Sequence, residues 1–106
     1  MSGRQALLAI AMLAITITDG STQEIGHAGR GFALAQRLCA QCHGVQKDAA
    51  ASPNPDAPLF PIIASVPGMT AIALAATLNT SHRAMPNILL EPPEQADIIA
   101  YILSLK

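Results

Sequence analysis

The 106-residue chain is 51% apolar yet holds only two Phe, one Tyr and no Trp, and its six Lys and Arg against seven Asp and Glu leave a formal charge of −1. That length admits one domain with a small core, and so few bulky side chains cannot fill it without a staple such as a disulfide, a metal or a large apolar group. No basic stripe or run of like charge is present, which argues against nucleic acid and anionic membrane surfaces as partners.

Residues 1–20 read as an export signal peptide removed in the mature protein. Arg4 supplies a short positive start, Ala6 to Ile15 is unbroken apolar sequence, and Thr16 to Gly20 turns small and polar. Thr18 and Gly20 then stand at the minus-three and minus-one positions of cleavage before Ser21. The rival reading is a retained anchor, but an apolar helix from Ala6 to Ile17 rises only ~18 Å against a hydrocarbon core of ~30 Å. Residues 21–106 are expected to form a single domain. Its charges are five Lys and Arg against six Asp and Glu, still −1.

From Gly29 to Gln41 the residues suit a helix, with Phe32, Leu34, Ala35 and Leu38 as apolar members and His43-Gly44 as its end. Residues 44–68 hold Pro53, Pro55, Pro58, Pro61 and Pro67, a density that disfavours regular helix or sheet. Irregular stretches of that length in a compact domain wrap something, and Leu59, Phe60, Ile62 and Ile63 need a surface to cover. Thr70 suits the cap of a helix from Ala71 to Leu78, closed by Asn79, Thr80 and Ser81. A loop follows through Met85-Pro86. Pro92 and Pro93 fit the first turn of a last helix, with Glu94 and Asp97 near its positive end. Ile98, Tyr101, Ile102 and Leu105 recur at intervals of three and four as its buried face, and Lys106 lies near its negative end. No alternating strand pattern is present, so the fold class is all-α: three to four short helices joined by long Pro-rich loops.

The chemistry is carried by Cys39-Ala40-Gln41-Cys42-His43, the C-x-x-C-H pattern of covalent haem attachment. Two thiols one helical turn apart reach the two vinyl groups on one edge of a haem and form thioethers, and the adjacent His lies under the ring, within reach of iron. Such maturation takes place outside the cytoplasm, the compartment to which an export signal leads. A disulfide between cysteines so close would staple nothing distant. A thioredoxin-like pair calls for a βαβ setting, and no strand precedes Cys39. A structural zinc needs four ligands, and Cys39, Cys42, His43, His27 and His82 lack finger spacing.

For the sixth iron position the available side chains are Met69, Met85, His82 and His27. Methionine is ordinarily a flexible core filler. Met85 is favoured because it stands in a loop before a Pro and ahead of a well-formed helix, where a side chain can be aimed inward.

Over nearly all of residues 26–106 the chain resembles the class I, mono-haem cytochromes c of small bacterial periplasmic type. The resemblance rests on Gly31 with Cys39-Ala40-Gln41-Cys42-His43, on Met85-Pro86, and on Asp97-Ile98-Ile99-Ala100-Tyr101-Ile102. It implies a fold wrapped around one covalent haem c, with Cys39, Cys42, His43, Pro58 and Met85 binding the cofactor and His43 and Met85 bound to iron. It also implies that Gly31 crosses close to Tyr101 and that the Pro58 carbonyl accepts a hydrogen bond from His43. The chain departs from the best-known members at Ala35, where many carry an aromatic, and in having no Tyr or Trp to bond the axial Met or a propionate. Arg83 is a candidate propionate partner, though a solvated charge is its simpler reading.

With both axial positions filled, iron has no open site. The expected function is a periplasmic electron carrier with no catalytic residue and no small-molecule substrate. Its partners are redox proteins: a dehydrogenase or cytochrome complex as donor, an oxidase or reductase as acceptor. It meets a membrane only through them unless the signal is retained. One alternative is a dedicated electron-accepting subunit of a periplasmic dehydrogenase. The other, a haem ligand sensor or peroxidase, requires Met85 to be labile.

Overall fold

Residues 25–80 and 84–106 are described by a computed structural model of the chain. The expectations for an export signal at 1–20 and for His82 and Arg83 lie outside these residues. Four helices follow one another among the described residues: α1 Ala28–Leu38, α2 Phe60–Ser65, α3 Ala71–Leu78 and α4 Pro92–Leu103. None is long and apolar enough to cross a membrane among the described residues.

The last helix organises the rest. Pro92 and Pro93 occupy its first turn, and the Glu94 carboxylate turns back to accept the Glu91 N–H at 3.0 Å. Its Ile98, Ile99, Tyr101 and Ile102, with Leu105 just beyond, are buried together with Leu34 and Ala35 of α1, Phe60 and Ala64 of α2, Leu74 of α3 and Val45. Each of the Leu, Ile, Val and Phe side chains contributes about 1.5–3 kcal/mol by leaving water. Helices α1, α2 and α3 all pack on α4, α1 most extensively.

The α1–α4 crossing depends on a glycine. A methyl group at Gly31 would overlap the Asp97 carbonyl and come within 2.8 Å of Tyr101 Cβ, so the backbones meet at a distance that no side chain permits. Beside this contact, Asp97 is buried and accepts the His27 N–H at 2.7 Å, Arg30 Nε at 2.8 Å and Arg30 Nη2 at 3.2 Å. The guanidinium, then the main-chain donor, hold its carboxyl below the usual carboxylate range against the opposing effect of burial. Asp97 therefore clasps the two terminal helices instead of complementing the α4 dipole. Lys106 likewise reaches across the chain, donating to the Met69 carbonyl at 2.8 Å.

Two other expectations are corrected. Helix α1 ends at Leu38, not Gln41, because the chain tightens at the cysteines: Cys39 N–H bonds to the Ala35 carbonyl, and Cys42 and His43 both donate to the Cys39 carbonyl. The proline-rich stretch also contains a helix, α2. Pro61 falls within its first turn, where an absent N–H costs nothing. Val66, ahead of Pro67, is extended and stops it. Helix α3 runs over the expected residues, with Thr70 Oγ1 accepting the Ala73 N–H at 3.1 Å, and Gly68 at φ 77° makes the preceding turn.

Candidate haem site

The turn after α1 places both thiols on one cavity. Cys39 caps the helix, and the His43 N–H to Cys39 carbonyl bond of 2.9 Å closes one further helical turn around Cys42. Both cysteines are free and half-buried, and burial pushes the Cys39 thiol up, so it stays protonated at neutral pH. With His43 they line a cavity of about 370 Å³, within the range of clefts that enclose a small-molecule cofactor.

His43 is held by the proline-rich loop. Its Nδ1 lies 2.6 Å from the Pro58 carbonyl oxygen. A carbonyl only accepts, so Nδ1 carries a proton here, and in the neutral ring that leaves the lone pair on Nε2. The two segments are joined again one step along, where Phe60 N–H donates to the Gly44 carbonyl at 2.9 Å. Phe60 itself packs on the imidazole, ring centroids 5.4 Å apart and planes at 55°.

The remaining wall is apolar and comes from distant parts of the chain, including Leu74, Ile98 and Ile102. Met85 and Met69 both line it. Met85 is half-buried and follows Ala84, whose φ of 63° turns the chain there. Met69 lies just ahead of α3 and packs against the hydrophobic core. His27, the other early candidate, is exposed at the start of α1 and is not among the lining residues. Tyr101 is no substitute for the missing aromatic donors, because its hydroxyl is spent on the Val45 carbonyl at 2.5 Å. Burial, then the Asp48 carboxylate, push that phenol up.

The five residues expected from the sequence, Cys39, Cys42, His43, Pro58 and Met85, all line this cavity. Phe60, Asn54, Asp56 and Thr77 line it too, without having been expected there. Among the described residues no three His, Cys, Asp or Glu side chains converge as a metal site.

Residues 28–106 match the family described as cytochrome c. The chain belongs to the cytochrome c family. It is also 35% identical over 100 residues to cytochrome c-552 of Bradyrhizobium diazoefficiens, covering 94% of this chain and 95% of that protein. No solved structure matches. This cytochrome c is an electron-transfer protein and not a catalyst, and its cofactor is covalently attached haem c with iron. The cavity fits that group: it is apolar, it is bordered by two thiols and an imidazole whose Nε2 is free, and it has a methionine on a separate loop.

Proposed function

We propose that this cytochrome c is an exported, periplasmic electron carrier in which Cys39 and Cys42 bind haem through thioethers and His43 and Met85 are the axial ligands. The observation that carries the reading is the Pro58 carbonyl on His43 Nδ1 at 2.6 Å in a cavity that Cys39, Cys42 and Met85 also line. That bond selects the tautomer with Nε2 unprotonated and raises the basicity of the ring. Haem iron supplies the one-electron change between ferric and ferrous states.

The protein's own contribution is to bind, orient and exclude water. The thiols fix one edge of the group, the Pro58 loop fixes the imidazole, and Leu74, Ile98 and Ile102 supply an apolar surround. A Met thioether as second ligand raises the potential relative to paired imidazoles. Export rests on the apolar run and small residues of positions 1–20 and on the extracytoplasmic chemistry of C-x-x-C-H attachment. Residues 21–106 are then the mature single domain. Its donor is a dehydrogenase or cytochrome complex and its acceptor an oxidase or reductase. A charge near neutrality points to brief docking with little long-range steering.

The test is an optical spectrum of the oxidised and reduced protein after export in a host with c-type maturation. The expected result is a sharp c-type reduced spectrum and a weak Met–iron band in the ferric form, the band being lost in Met85→Ala. A high-spin ferric spectrum with ready carbon monoxide binding on reduction would show an open iron site and overturn the assignment.

A further inference from the structure

The chain's three benzenoid rings, all that its two Phe and one Tyr provide, are joined in one line of successive contacts. Phe32 meets Tyr101 at 5.1 Å between centroids, Tyr101 meets Phe60 at 6.4 Å, and Phe60 meets the His43 imidazole at 5.4 Å. These separations and tilts fall in the range of favourable edge-to-face contacts. The line begins in α1, crosses α4 and ends on the candidate iron ligand.

The Pro58 carbonyl fixes where His43 Nδ1 points, but one N–H···O bond tolerates a broad spread of angles at the acceptor. The ring can rock about that bond unless something bears on its side. Phe60 does so. It is buried, 4% exposed, and its own N–H is tied to the Gly44 carbonyl, one residue past His43. That main-chain bond anchors Phe60 beside His43, and its ring packs on the imidazole at 5.4 Å and on Tyr101 at 6.4 Å, so it has little room to draw back.

We infer that Phe60 is a positioning residue that sets the plane of the His43 ring, an assignment that rests on the reading of His43 as an iron ligand. Pro58 selects the nitrogen and its direction, and Phe60 selects the rotation. The orientation of an axial imidazole plane governs how unpaired spin is distributed over a ferric haem. It is therefore legible without any assay of electron transfer.

The experiment compares ferric holoprotein of wild type, Phe60→Leu and Phe32→Leu by proton nuclear magnetic resonance, reading the hyperfine-shifted haem methyl resonances. Phe60→Leu is expected to change their spread and order while the Met–iron band persists, and Phe32→Leu, at the far end of the line, to leave the pattern as in wild type. An unchanged pattern in Phe60→Leu with ligation intact overturns the inference alone. An equal change in Phe32→Leu makes the effect one of general packing and overturns it too. A wild-type ferric spectrum without low-spin iron overturns the ligation reading and this inference with it. If Phe60→Leu yields no holoprotein, wild-type ferrous protein decides. A nuclear Overhauser contact between the Phe60 and His43 ring protons supports the assignment, and its absence overturns it.

Discussion

His43 and Pro58, fifteen residues apart, are joined by a 2.6 Å hydrogen bond from the imidazole Nδ1 to the main-chain carbonyl. The loop between them folds back at several points: Asn54 N–H donates to the Cys42 carbonyl at 3.1 Å, and Gly44 N–H to Ser52 Oγ at 2.9 Å. The prolines of this loop restrict the chain before folding begins, so less conformational freedom is lost when the loop closes on His43.

Pro58→Gly keeps the carbonyl but frees the backbone that aims it. A less firmly bonded imidazole is a weaker donor to iron, which favours the ferrous state. The reduction potential is expected to rise by about 20–50 mV, a fraction of the ~59 mV that corresponds to a tenfold change for one electron. Protein-film voltammetry measures it, and a potential that falls or does not move would count against the role given to this bond.

Gly31→Ala tests the helix crossing. The added methyl meets the Asp97 carbonyl and Tyr101 Cβ, both on α4, and neither belongs to the far end of a flexible chain. Overpacking of this kind costs about 1–3 kcal/mol. The expected result is a clear drop in the thermal midpoint with the optical spectrum unchanged, because Gly31 is not among the cavity-lining residues. Gly29, against which a methyl meets nothing within 4 Å, supplies the control: Gly29→Ala at this helical, exposed position is expected to stabilise slightly.

The Asp97 clasp gives stability a defined pH dependence. Its carboxyl titrates lower in the folded protein than in the unfolded chain, so between the two values the unfolded state binds more protons and stability rises with pH. The contribution is complete above an unfolded value of about 4 and is lost as pH falls through the folded value. Asp97→Asn is expected to flatten the acid limb of a stability–pH profile. It is also expected to cost about 1–3 kcal/mol at neutral pH, since the His27 N–H and the Arg30 guanidinium lose a charged acceptor. Chemical denaturation between pH 3 and pH 7 checks both, and parallel profiles for wild type and Asp97→Asn would remove Asp97 as the source.

Where the sequence was legible, the signal was local. The C-x-x-C-H run, the Thr70 cap and the three-and-four spacing of Ile98, Tyr101, Ile102 and Leu105 each declare themselves within a dozen residues. Helix α2 is hidden by the proline density around it, which disfavours helix everywhere except the first turn, where Pro61 sits. The sequence suggests only a dipole role for Asp97 because Arg30 lies 67 residues away, and no spacing rule links them. The contact of Phe60 with His43 was invisible for the same reason: it depends on a loop closing, and composition reveals only that aromatics are scarce.

The two methionines on the cavity separate by the job their main chains already do. Met69 has its N–H bonded to the Val66 carbonyl at 3.0 Å and its carbonyl to Lys106 Nζ at 2.8 Å, and it packs against the core at the start of α3. A residue held in this way behaves as core filler, for which Leu is a near-isosteric replacement costing under about 1.5 kcal/mol. Met85 instead follows Ala84 in the left-handed region, a conformation that costs a residue with a Cβ about 1–2 kcal/mol. It is sustained where the surrounding contacts over-determine it, as a bond from the Met85 thioether to iron would. Met69→Leu is therefore expected to lower the thermal midpoint modestly and to keep the ferric Met–iron band. Ala84→Gly is expected to keep the band as well, since glycine adopts the same φ freely. Ala84→Val, which cannot hold that φ, is expected to weaken the band and to speed displacement of the thioether by added imidazole. Loss of the band in Met69→Leu, with Met85 intact, would transfer the ligand role to Met69.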